Sequence, residues 1–273
     1  MISFQYVIKR CKYELKKPML YICVIAVLII VYDALGNVIK YANLSGEAFT
    51  PWIFSHITSD RYLLLCILLT FLLLISNAPN DIKCSETLSK STNISDSIMS
   101  EILFLMLKCT SFVVLIWVNI FMFGLGHLSF STSWGAMFRR LSQPNPYTGI
   151  ICEEVILSYS AIQASVYSSV LLWLVCLFLS LVGVWTNLML KGMSPFVMGV
   201  LGLFDFYLYL YVDDIDLIYW FSPTSWSNLS TILSIEGMSV KICIGMLVAI
   251  DSLLMLIVKC TAYFYRKKQC LCA

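Results

Sequence analysis

Six stretches of this chain are apolar for long enough, or nearly long enough, to cross the hydrocarbon core of a bilayer. That property constrains the fold more than any other. A helix rises about 1.5 Å per residue, so a core of roughly 30 Å takes about 20 apolar residues. The stretches are residues 19–36, 62–77, 102–126, 166–190, 196–212 and 240–263, with the second and fifth the shortest. Hydrocarbon offers no water to backbone N–H and C=O groups, so each segment must satisfy its own, which selects helices. The runs are too long and too unbroken for barrel strands, which alternate apolar and polar residues. Composition agrees: 60% of the 273 residues are hydrophobic and 12% charged, with mean hydropathy +0.86, whereas a soluble domain carries about 25% charged residues. The expected fold is an all-α membrane protein of six transmembrane helices spanning residues 19–273, preceded by an amphipathic segment at residues 1–18.

Basic residues orient such a bundle, because they accumulate on the cytoplasmic side. With both termini inside, that side holds Lys9, Arg10, Lys12, Lys16, Lys17, Lys83, Lys90, Lys191, Arg266, Lys267 and Lys268. The other side holds Lys40, Arg61, Arg139 and Arg140. Lys108, Lys241 and Lys259 lie within or at the ends of spans. Lys108 and Lys259 are near the inner end, where a lysine can snorkel, and both read as structural. The asymmetry predicts N-in, C-in. The net charge of +2 gives no reason to expect a nucleic-acid partner.

The first 18 residues carry their own pattern. Phe4, Val7, Ile8, Cys11 and Leu15 recur at helical spacing, with Lys9, Arg10, Lys12 and Lys16 largely on the rest of the circumference. This predicts an amphipathic helix in the inner interface, cationic side chains toward anionic headgroups, broken by Pro18 before the first span. A plain positive-inside anchor is a compatible reading. Residues 19–32 followed by Ala34-Leu35-Gly36 compete as a signal-peptide core and cleavage site, but the long patterned segment ahead of them favours retention as a span.

The eleven cysteines form no CxxC pair, and several fall in apolar runs, where cysteine behaves as a small hydrophobe. Only Cys152 falls in an external loop, so no disulfide framework is expected. The tail Cys270-Leu271-Cys272-Ala273 has the CaaX form of a prenylation signal, or holds an acylation site, or is simply a cysteine-rich tail.

Between spans two and three, residues 78–101 form the longest internal cytoplasmic loop, APNDIKCSETLSKSTNISDSIMSE. It is polar with spaced apolar residues, Ile82, Leu88, Ile94 and Ile98. Pro79 marks the helix exit, and Asp81 is a candidate N-cap. A short cytoplasmic helix here gives a soluble partner something to push on; a solvated loop without a partner is the plainer alternative.

Two stretches carry a family resemblance. LLLISNAPNDIKCSETLSKSTN resembles the segment of ABC-2 type transporter permeases in which an apolar helix ends in an SDAPF-like turn and runs into a coupling helix. YWFSPTSWSNLS, residues 219–230, resembles their SP-x-x-W segment before the last span, here Ser222, Pro223 and Trp226. The layout of the whole chain is similar to theirs as well. After the coupling helix the family often has an Arg/Gly-rich turn and an aromatic residue; this chain has Lys90-Ser91-Thr92-Asn93-Ile94. The resemblance implies a bacterial plasma-membrane subunit of an exporter for a peptide or other amphipathic compound. It implies coupling to a separate cytosolic ABC ATPase through Asp81, Lys83, Glu86, Leu88 and Lys90, and pairing with a second permease copy or a homologous permease.

No GxxxxGK[ST] occurs, so the chain cannot cradle nucleotide phosphates in a P-loop, and ATP and Mg would be held by the partner. The two histidines, His56 and His127, lie in no HExxH, and no GxSxG elbow occurs, so no enzyme chemistry or cofactor is expected of this chain. His127 reads as an interfacial histidine. Asp205 and Asp251 fall near the middles of spans five and six, where a carboxylate is costly unless paired, hydrated or protonated. They either line a polar translocation path or bond neighbours within the bundle. The run Val212-Asp213-Asp214-Ile215-Asp216 does not match an EF-hand loop and reads as a solvated acidic helix end. The external loop 126–165 is expected to hold an interfacial helix over residues 150–163. The contrasting functional expectation is a membrane binding or immunity protein that sequesters a toxic peptide without transporting it.

Overall fold

A computed structural model of the chain describes residues 4–76, 94–142, 151–190, 197, 199–200, 202, 204, 219–220 and 222–271. The described residues are overwhelmingly helical. In chain order the helices are α1 (Phe4–Glu14), α2 (Pro18–Ser45), α3 (Phe54–Ser59), α4 (Arg61–Ser76), α5 (Ile94–Gly124), α6 (Gly135–Leu141), α7 (Glu153–Ser158), α8 (Ala161–Leu190), α9 (Leu229–Ser234) and α10 (Val240–Leu271). Single 3-10 turns, Pro51–Ile53 and Ser225–Ser227, lead toward α3 and α9.

Among the described residues, four helices are long and apolar enough to cross a membrane: α2, the Met99–Gly124 part of α5, the Ala161–Met189 part of α8 and the Val240–Phe264 part of α10. Their apolar faces are of two kinds. On α2, Cys23, Val27, Val31, Leu35 and Val38 are buried, while Ile22, Ile25, Ile29 and Tyr32 are exposed. On α5, Val114, Val118, Phe121 and Met122 are exposed, and on α10, Leu253 and Leu256. A helix apolar on all sides suits a lipid surround, because water would penalise the outward face.

The second expected span departs from the simple picture. Alone, α4 has 16 residues, or about 24 Å of rise, short of the core thickness. It becomes a candidate span only together with Pro51–Ser59, across a 92° bend at Asp60. The bend has a local cause: Asp60 is extended, and its side chain accepts from the Leu63 N–H at 2.9 Å, capping the new helix start. Of the fifth expected span, Val197, Gly199, Val200, Gly202 and Phe204 are helical; the remainder lies outside the described residues. A Cβ at Gly202 would stand 3.3 Å from the Leu69 and Leu72 side chains, so this segment packs closely on α4.

The helix α8 is the hub. It packs on α10, α5, α4 and α3, and 67% of its most apolar window is buried against 22% for α10. Helix boundaries follow local chemistry. Pro18 opens α2 with Lys17 held extended. Gly46 closes it at φ 68°, a left-handed position suited to glycine, its N–H bonding the Ala42 carbonyl.

Three further boundaries differ from the sequence reading. Residues 94–101, assigned to the cytoplasmic loop, are the first two turns of α5, because nothing in Ile94–Glu101 breaks the helical pattern. The stretch expected to be helical at 150–163 is divided: α7 ends at Ser158, Tyr159 is extended, and α8 begins at Ala161. The last helix runs past residue 263 to Leu271.

Candidate functional site

Three features of the bundle carry polar chemistry. The first is an ionic junction at the end where α1 lies. Lys108, on α5, donates to the Leu74 carbonyl at 2.9 Å and to Glu14 Oε2 at 3.3 Å. Leu74 belongs to the last turn of α4, whose carbonyls have no intrahelical N–H partner, and a cation there also meets the negative end of the helix dipole. Lys17 Nζ holds the other Glu14 oxygen at 2.7 Å. One turn earlier on α1, Arg10 pairs with Glu101 of α5 at 3.7 Å, with its guanidinium 5.6 Å from the centre of the Phe104 ring. Burial pushes the Glu14 carboxyl up, but Lys108 and Lys17 outweigh it and hold the group below the ordinary glutamate value. The junction thus joins α1, the end of α4 and the early turns of α5. Those last two elements flank residues 77–93.

Lys108 is structural, its charge met inside the bundle rather than at an interface: its side chain is 8% exposed and doubly engaged. The apolar positions of α1 are divided between the bundle and the outside. Val7 is buried, as are Arg10 and Glu14, while Ile8 and Leu15 are exposed. Cross-helix charge pairing, invisible in the helical spacing of α1 alone, sets its rotation.

The second feature is Asp251, one of the expected path residues. It lies on the inner face of α10 with Cys243 and Leu247, 3% exposed. Among the described residues neither of its oxygens has a hydrogen-bond partner. It lies within electrostatic reach of Cys109, whose Sγ is 3.8 Å from Ser180 Oγ; that hydroxyl donates to the Cys176 carbonyl at 2.8 Å. The expectation that Asp251 bonds a neighbouring serine or backbone group is therefore not met. Asp205, its companion in that expectation, lies outside the described residues. So do Asp81, Lys83, Glu86, Leu88 and Lys90. Among the described residues no three His, Cys, Asp or Glu side chains converge as a metal site.

The third feature is a cap of short helices at the opposite end, knitted by indoles. Trp52 Nε1 donates to the Ser131 carbonyl at 2.6 Å, Trp134 Nε1 to that of Tyr159 at 2.9 Å and Trp226 Nε1 to that of Tyr219 at 2.8 Å. The Ser222-Pro223-x-x-Trp226 segment is part of this cap. The Ser222 carbonyl accepts from Ser225 Oγ at 2.8 Å, and Trp226 is 2% exposed. Asn228 then does two things: Oδ1 caps α9 by accepting from the Thr231 N–H, and Nδ2 donates to the Ser59 carbonyl at the α3–α4 bend.

His56 sits inside the cap, fully buried, its ring 4.8 Å from Trp134 and 5.6 Å from Phe138. Its Nδ1 accepts from the Cys152 N–H at 3.3 Å, which assigns the proton to Nε2. The Cys152 thiol is pushed up to about 11 by burial, then by the Asp60 and Glu154 carboxylates. It is a poor nucleophile at neutral pH, and this His–Cys neighbourhood is packing rather than a catalytic pair. Spacing in the sequence carries no sign that residues 56 and 152 meet.

Comparisons with protein-family models, with curated proteins and with solved structures gave no match.

Proposed function

We propose that the chain is the membrane-spanning subunit of an ATP-binding-cassette transporter, an ABC-2 type permease that exports a peptide or other amphipathic compound. In this reading it has six spans with both termini inside a bacterial plasma membrane. It works with a second permease copy or a homologous permease, and a separate cytosolic ATPase binds ATP and Mg. Its fifth span runs through residues 196–212, and its coupling segment is centred on Asp81, Lys83, Glu86, Leu88 and Lys90.

The observation that supports it best is the ionic junction. A segment that receives force needs a stiff mounting. In sequence, residues 77–93 lie between α4 and α5, and Lys108 ties the end of α4 and α5 to α1 within 3.3 Å. Buried charge pairs resist separation, since removing one partner costs about 3–5 kcal/mol. A push on this segment is therefore passed to several helices at once, as a rigid-body switching scheme requires. Asp251 adds a polar position in the bundle that has no hydrogen bond among the described residues.

The opposite cap favours a second reading, a membrane binding or immunity protein without a transport cycle. Its three indole hydrogen bonds to backbone carbonyls seal one end of the bundle. Gentle purification of the tagged chain from its native host, with mass spectrometry of what accompanies it, separates the two. A stoichiometric P-loop ATPase supports the transporter. Repeated recovery of a peptide-binding chain without an ATPase overturns it in favour of the second reading.

A further inference from the structure

Asp251 lies on α10, the least buried of the four candidate spans, yet on the inner face of that helix. The polar hydrogens described near it are already spent. Ser180 Oγ donates to the Cys176 carbonyl at 2.8 Å, so the 3.8 Å contact between Cys109 Sγ and Ser180 Oγ takes its hydrogen from the thiol. Arg10 and Lys108, the cations buried at the junction, are held by Glu101 and Glu14. Asp251 itself enters no ion pair or hydrogen bond among the described residues. A carboxylate isolated in this way is costly until a cation meets it.

The surroundings restrict which cation that is. Toward the junction the next layer is the buried cluster Leu105, Val184 and Val258; toward the cap come Leu247 and Cys243. A hard inorganic ion takes about six oxygen ligands. Beyond the two oxygens of Asp251, the polar side chains described near it bring one more, Ser180 Oγ; the others are the thiols of Cys109 and Cys176. An organic ammonium group asks for less: one carboxylate meets its charge, and its alkyl body packs on apolar walls. The way in from the bilayer is short. Ser252 and Leu253, next to Asp251 in sequence, are exposed on the outer face of α10, and Leu254 and Met255, one turn on, are only partly buried. Methionine repacks readily, so a molecule dissolved in the acyl layer is one helix width from the carboxylate. We propose that Asp251 is the charge-recognition residue of a site for the ammonium group of an amphipathic ligand, which reaches it from the bilayer between α10 and its neighbours. The inference deepens the transporter reading by naming the charge of the compound handled, and it rests on that reading for the compound's amphipathic character.

The test uses the full chain in nanodiscs of phosphatidylcholine, which carry no net charge. The probe is a long-chain primary amine with a photoreactive diazirine beside the amino group; its N-acetyl derivative keeps the chain and loses the charge. Crosslinked residues are read by mass spectrometry as the amount of probe per disc is raised. The amine is expected to label α10 and α5 around Asp251 and Cys109 saturably, and several-fold more than the amide does. Labelling of the exposed Ile25 and Ile29 of α2 should rise without saturation for both probes. Asp251→Asn should lose the saturable component with its melting temperature unchanged or raised, and Asp251→Glu, which returns the charge, should keep it. No saturable labelling of the wild type, equal saturable labelling by the amide, or its persistence in Asp251→Asn would each overturn the proposal. So would displacement of the amine by sodium or potassium chloride that leaves the Ile25 and Ile29 background unchanged, because the site would then belong to an inorganic ion. Recovery of the chain without an ATPase bears on the transporter reading alone and leaves these outcomes as they are.

Discussion

Glu14 is the residue on which the α1 end of the bundle turns, because it accepts from both Lys108 and Lys17. Glu14→Gln removes the charge that offsets a lysine whose side chain is 8% exposed. The expected loss is about 3–5 kcal/mol, the cost of stranding one partner of a buried pair, read as a lowered melting temperature and faster amide exchange in α1. The pH dependence follows from the same geometry. The folded state holds the Glu14 carboxyl below its ordinary value of 4.5, so the unfolded state binds the proton more readily. The contribution is fully present above 4.5. It disappears as pH falls through the lower, folded value. Amide protection of α1 should therefore hold steady from neutral pH down to the ordinary glutamate range and collapse below it. Loss of protection beginning near pH 6 instead would assign the switch to another group. At the other end of the molecule, Cys152, pushed up to about 11, should react with maleimide far more slowly at neutral pH than the same thiol in denaturant.

Among the elements, the cap depends on Asn228, whose two ends serve different helices. Asn228→Ala should cost roughly 2–3 kcal/mol, the sum of a lost N-cap and a buried hydrogen bond to the Ser59 carbonyl. Asn228→Asp keeps an N-cap acceptor but loses the donor and sets a carboxylate against that carbonyl. It should be at least as damaging, whereas a cap-only role would leave it near wild type. Thermal unfolding followed by tryptophan fluorescence decides between these outcomes. The α3–α4 bend shows how element lengths were only partly legible. Residues 62–77 are apolar enough to mark a span, but α4, with 16 residues and about 24 Å of rise, is short alone, and it passes as a candidate span only together with Pro51–Ser59, bent from it by 92°. Hydropathy averages over a bend; it does not register the Asp60 cap that makes one.

For the whole molecule, Asp251 poses a choice between stability and activity. A buried carboxylate with neither oxygen hydrogen-bonded destabilises the fold that carries it. Asp251→Leu should therefore raise thermal stability, by about 1–3 kcal/mol if the site repacks without strain, and, on the proposed transporter reading, abolish transport-stimulated ATP hydrolysis in a complex reconstituted with the partner ATPase. A variant that is more stable and still fully active would remove Asp251 from the translocation path. The sequence by itself determined that the chain builds apolar helices, roughly where they lie, and that a helix precedes the first. Those properties depend on composition and local periodicity, which are complete within a window of about 20 residues. Only the tertiary structure decided that Lys108 belongs to α1 and the end of α4 as much as to its own helix, and that the Ser222–Trp226 segment is a brace for the cap. It alone showed His56 meeting the Cys152 backbone and Asp251 without a hydrogen-bond partner among the described residues. Each of these depends on which residues far apart in the chain are brought within about 4 Å, and no local pattern encodes that distance.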